Sequence, residues 1–127
     1  MRFERENTKP IQAPSAKQLS SSLNHLNGST RSFASLTASN NSFIQMAGGG
    51  YSCILELSIN GKLFRASQEN AIVPWAEITT LHTSCGEFSV EPKEYFNVQQ
   101  VADVFINFLE GERSFNKYKW KNVKSKT

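Results

Sequence analysis

The sequence predicts an α+β domain: a twisted, mostly antiparallel sheet with a long helix from its C-terminal half and a short N-terminal helix packed on it. Three observations predict it. Residues 97–109 repeat apolar side chains at helical spacing, and residues 51–59 alternate with a period of two. Asn60-Gly61 follows that strand directly, the dipeptide best suited to a two-residue hairpin turn. A chain of 127 residues can bury one core but not two. The expected layout is a loose N-terminal arm over 1–14, one domain over 15–122 and a frayed basic tail over 123–127.

In chain order, residues 1–14 mix charges with Pro10 and Pro14 and read as a loose arm or an added edge segment. Ser15 is placed to cap a short helix from Ala16, with Leu19, Leu23 and Leu26 on one face and Gly28 as its stop. His25 falls beside that stripe and reads as a partly exposed helix histidine. Residues 30–38 and 42–47 read as two strands joined by a turn at Asn40-Asn41, because asparagine tolerates positive φ. Gly48-Gly49-Gly50 lacks the Lys and Ser/Thr of a phosphate loop and reads as a tight turn or bulge.

The best strand covers 51–59, with Tyr51, Cys53, Leu55, Leu57 and Ile59 on one face. Its return partner covers 62–67, which puts Glu56 and Arg65 within cross-strand reach as an exposed surface pair. Residues 68–83 are irregular around Pro74-Trp75, with a strand expected over 76–82 and another over 87–90. Trp75 is either a core plug or an exposed anchor. Asn97 then caps the main helix, with Gln100 reaching back and Gly111 ending it. Its stripe is Val98, Val101, Val104, Phe105, Phe108 and Leu109. Tyr118 and Trp120 alternate with Lys117, Lys119 and Lys121, as in an edge strand guarded by lysines.

The net charge of +3 hides a segregated distribution. Residues 56–112 hold nine acidic and three basic side chains; residues 113–127 hold six basic and none acidic. The domain body is acidic and its end basic. No apolar run is long enough to span a membrane, and 1–10 shows no signal-peptide h-region, so a cytoplasmic location is the expectation. In that reducing setting Cys53 and Cys85 are expected to be free, buried small hydrophobes. His25 and His82 have no zinc-ligand spacing with them.

No catalytic motif is present: there is neither Gly-x-Ser-x-Gly nor His-Glu-x-x-His. His82, Cys85 and Glu87 are close in sequence and form the nearest approach to a thiolate site. The lysine–aromatic alternation of 117–121 opens an alternative, a small nucleic-acid-binding module that stacks bases on its aromatics. An edge strand with solvated lysines accounts for the same pattern.

One resemblance goes further. The run Ser42-Phe43-Ile44-Gln45-Met46-Ala47-Gly48-Gly49-Gly50 is followed by Ile54-Leu55-Glu56-Leu57. A helix then closes as Phe108-Leu109-Glu110-Gly111-Glu112-Arg113, with Trp120 beyond it. This pattern resembles bacterial immunity proteins of polymorphic-toxin and contact-dependent growth inhibition systems. It covers roughly residues 42–120; the usual proline after Gly-Glu-Arg is replaced by Ser114-Phe115, and residues 1–41 carry none of the motifs.

The resemblance implies a non-catalytic inhibitor with no cofactor. Such a protein binds the C-terminal domain of its cognate toxin as a 1:1 heterocomplex and covers the active site. Many such toxins are basic nucleases, since their substrate is a polyanion. An acidic face would then imitate the substrate and speed association. The contact residues expected on that reading are Glu69, Trp75, Glu77, Glu87, Glu91 and Glu94. Glu56 is left out because its strand is expected to bury it.

Overall fold

The computed structural model describes residues 1–27, 32–84 and 86–123. It is an α+β fold with two helices and an antiparallel sheet of seven strands. The strands of this sheet are β1 (Arg2–Arg5), β2 (Ile11–Gln12), β3 (Phe33–Thr37), β4 (Phe43–Gly49), β5 (Ser52–Ile59), β6 (Lys62–Ser67) and β9 (Lys119–Asn122). Their order is β2-β1-β3-β4-β5-β6-β9. A separate hairpin joins β7 (Thr79–Thr83) to β8 (Gly86–Val90). The helices are α1 (Ala16–Leu23) and α2 (Val98–Leu109).

Register explains the two faces of the sheet. Phe3, Leu36, Ile44, Leu57 and Phe64 are successive cross-strand partners and form one apolar row. Both helices pack on this face, where Leu19, Leu23, Val101, Phe105 and Phe108 are fully buried. The other face carries the row Ser35, Gln45, Glu56, Arg65 and Lys121. The hairpin lies over part of that second face: Leu81, Phe88 and Val90 pack on Ala47, Ile54 and Tyr95.

α2 begins as its sequence dictates. Asn97 accepts a hydrogen bond from the Gln100 N–H at 2.8 Å, and the Gln100 side chain accepts from the Asn97 N–H at 3.0 Å. The helix is twelve residues, three turns rather than the long helix expected, and Gly111 ends it: its φ is +103°, its N–H donates to the Phe108 carbonyl at 3.1 Å and the Glu112 N–H donates to the Asn107 carbonyl at 2.9 Å. Truncating Phe105 or Phe108 in such a core costs about 3–5 kcal/mol. α1 carries the same reciprocal cap between Ser15 and Gln18. It ends at Leu23 with Asn24 as its C-cap, not at Gly28, which lies outside the described residues.

Residues 1–14 are the added edge segment rather than the loose arm, with β2 at one edge of the sheet and β1 beside it. Phe3 is fully buried, and β1 pairs with β3 along its whole length. Short apolar positions hidden among charges masked this segment in the sequence. Of the glycine run, Gly48 and Gly49 end β4 and Gly50 begins the turn to β5, and one of the three has a steric reason to be glycine. Gly48 sits at φ +111°, and a Cβ there would stand 2.0 Å from the Ser52 carbonyl oxygen. Asn60 and Gly61 both have positive φ, as a type I′ turn needs. Residues 30 and 31 of the expected first strand and residues 124–127 of the expected frayed tail lie outside the described residues. Val123 is tied to β6 by a 2.8 Å hydrogen bond from its N–H to the Leu63 carbonyl.

Candidate functional site

Segment 68–91 stands apart in chemistry from the rest of the chain. It contains four glutamates and no lysine or arginine. It runs from the end of β6, through an irregular loop, into the β7–β8 hairpin. The hairpin alternates strictly: Leu81, Phe88 and Val90 face the sheet, while Thr80, His82, Glu87 and Ser89 face solvent. Ile78 falls on the outward phase and is 66% exposed. Ile72 and Trp75 in the loop are also exposed.

The structure treats the expected contact residues differently. Glu69, Glu77, Glu87 and Glu91 are all exposed. Trp75 is 37% exposed and packs edge-on against Tyr95, ring centroids 5.4 Å apart, so it is neither a core plug nor a free side chain. Tyr95 is itself held by a 2.6 Å hydrogen bond between its hydroxyl and that of Thr79. Glu94 turns inward: its carboxylate accepts from the Glu91 N–H at 2.8 Å and lies 3.9 Å from Arg65. It shapes the loop end and offers little to a partner. Glu91, Glu94 and Ile78 line a shared cavity of about 410 Å³ with Arg65 and Lys121. Glu87 lies at the other end of the hairpin, four residues along β8 from Glu91, roughly 13 Å at strand rise.

Beneath the hairpin sits a feature that periodicity did not disclose. Arg65 and Glu56 are not an exposed pair. The Arg65 Nε donates to Glu56 Oε2 at 3.1 Å, and Gln45 donates to Glu56 Oε1 at 2.9 Å. The two charged side chains are only 15% and 8% exposed. Arg65 also donates to the Ser89 carbonyl at 3.0 Å. One guanidinium therefore ties β8 to the sheet. The strand already pointed to a buried Glu56, but two strands alone do not reveal the burial of Arg65, because the hairpin that covers it comes later in the chain.

A second tie holds the hairpin's tip. The Ser84 N–H donates to Ser32 Oγ at 3.1 Å, and Ser32 donates its N–H to Glu6 Oε1 at 2.7 Å. Hydrogen bonds from Ser84 and then from the Ser32 backbone hold the Glu6 carboxyl below its ordinary value of 4.5. A depressed carboxyl contributes stability that is present above its unfolded-state pKa and is lost as pH falls through the folded value. The stability difference between wild type and Glu6→Gln is thus expected to shrink steadily below pH 4.5 in denaturation series. A difference that stays constant down to full protonation contradicts this tie.

Cysteine chemistry gains no support here. Cys53 is fully buried, and burial pushes its thiol up to about 12, far from a thiolate at neutral pH. His82 Nδ1 lies 3.0 Å from Glu87 across the hairpin, both side chains about 70% exposed, and Cys85 lies outside the described residues. Among the described residues no three His, Cys, Asp or Glu side chains are grouped to hold a metal ion. No helix there is long and apolar enough to cross a membrane.

The C-terminal aromatics point inward. Trp120 donates Nε1–H to the Phe115 carbonyl at 3.0 Å, and Tyr118 packs edge-on against Phe96 at 5.0 Å. Their rings are half-buried and pack on the core edge rather than standing free in solvent. No protein-family model and no curated protein matches the chain.

Proposed function

We propose that this chain is an immunity protein, a non-catalytic inhibitor that binds the C-terminal domain of a cognate toxin. The toxin is a basic nuclease of a contact-dependent inhibition system, bound 1:1 in the cytoplasm with its active site covered. One observation supports this reading above the others. Segment 68–91 presents four exposed carboxylates, no lysine or arginine, and the exposed apolar side chains Ile72, Trp75 and Ile78. Exposed apolar side chains and carboxylates along one segment suit a desolvated anchor inside a steering field, with Arg65 and Lys121 bordering it at the cavity shared with Ile78 and Glu91. The packing of Tyr118 on Phe96 and of Trp120 on Phe115 weighs against the nucleic-acid alternative, which needs these rings free to stack.

Glu69, Glu77, Glu87 and Glu91 supply the steering charge, and Trp75 with Ile78 supplies the anchor. Reversing Glu87 and Glu91 to lysine is expected to slow association with a basic toxin domain about ten- to a hundredfold at low salt. The exposed positions of both residues leave the fold intact. Stopped-flow association rates over a salt series test this, and rates equal to wild type would move the interface off the hairpin.

A further inference from the structure

We propose that Arg113 anchors a second binding site, one that takes a small carboxylate with an apolar body. The site lies where the β3–β4 and β5–β6 turns meet the loop after α2. Two cavities adjoin there. One, of about 290 Å³, is walled by Leu57, Phe64, Phe115 and Trp120. The other, of about 370 Å³, is walled by Phe43 and the turn residues Asn40, Asn41 and Asn60. Ile59 and Arg113 line both, so the guanidinium stands between an aromatic chamber and an amide-lined one. Concave apolar space with a few convergent polar groups is the usual form of a small-molecule site.

The guanidinium is held in place on one side and unused on the other. Its Nη1 donates to the Phe108 carbonyl at 2.8 Å and to the Glu112 carbonyl at 2.7 Å. Its carbon lies 3.8 Å from the centroid of the Phe108 ring. These contacts cap the end of α2 and account for one nitrogen and one face. Among the described residues no carboxylate pairs with Arg113. The Nε–H and the Nη2–H groups remain, the edge that matches the two oxygens of a carboxylate. A single fork of this kind, without a second cation lining either cavity, fits a carboxylate better than a phosphate. The aromatic chamber then takes the apolar body, and the asparagine amides serve any polar substituent. The inference is independent of the toxin reading, because it uses none of the residues of segment 68–91.

The test is a ¹H–¹⁵N NMR titration of the full chain with 3-phenylpropionate and, separately, with 3-phenylpropan-1-ol. A ligand of this size is expected to bind with Kd of about a millimolar. The acid should shift resonances of 40–43, 58–61 and 112–116 saturably, and the alcohol should bind at least about tenfold more weakly. Arg113→Lys keeps the charge, removes the fork and should weaken the acid about tenfold without changing the alcohol. Equal binding of acid and alcohol overturns the proposal, as does an acid that gives no saturable shift in these turns. If Arg113→Lys fails to fold, the comparison of acid with alcohol on the wild-type chain decides alone.

Discussion

Replacing Arg65 by alanine is expected to cost about 3–5 kcal/mol of folding stability, because it strands the Glu56 carboxylate beneath the hairpin. That carboxylate would keep Gln45 as a donor and lose its counter-charge. Replacing both Glu56 and Arg65 by methionine is expected to cost less, since Glu56 is then no longer left unpaired and only Glu94, 3.9 Å from Arg65, loses its counter-charge. Urea denaturation of the single and double variants reads the difference. Equal losses would mean that the two side chains do not act as a unit. The hairpin gives a second readout. Arg65 also holds the Ser89 carbonyl, so amide exchange in β7 and β8 should accelerate more in Arg65→Ala than exchange in β4 and β5. A uniform acceleration would leave the hairpin's position independent of Arg65.

Replacing Trp75 by alanine is expected to weaken toxin binding by about 2 kcal/mol or more, roughly thirtyfold in Kd. Its cost to folding should be smaller. The ring is 37% exposed, and its edge-on contact with Tyr95 is worth about 0.5–1.5 kcal/mol. Affinity should therefore fall further than stability, and Trp75→Phe should recover part of it. Calorimetric titration against the toxin domain, beside thermal unfolding of each variant, separates the two effects. An unchanged Kd would place Trp75 outside the interface.

Where local chemistry decides structure, the sequence was legible. Asn97 and Gln100 announce the start of α2 because a capping box needs only four residues. Asn60-Gly61 announces its turn because few other dipeptides accept positive φ twice. Glu56 and Arg65 could be paired from the same register and the burial of Glu56 expected from its strand, yet the burial of Arg65 was not recognised. That burial depends on a hairpin some twenty residues further on, whose packing against the sheet face is a tertiary event. β1 was obscured for a similar reason: Phe3 is its one fully buried side chain, and only the neighbouring β3 makes it a strand. The acidic character of segment 68–91 was readable from composition alone. The inward turn of Glu94 was not, because it follows from a local backbone turn and from Arg65. Ile78 left a faint trace, an apolar residue out of phase with the strand that follows.

The central claim is that this chain neutralises a toxin domain through its acidic segment 68–91 and the apolar side chains exposed there. The most direct measurement uses the full chain as bait in cells that also express the C-terminal domain of the large secreted protein encoded beside it, where its locus has one. The expected result is a 1:1 complex that survives high salt, with the toxin's activity lost in the bound fraction. Recovery of nucleic acid alone, released on adding salt, would contradict the account and shift attention to the lysines of β9.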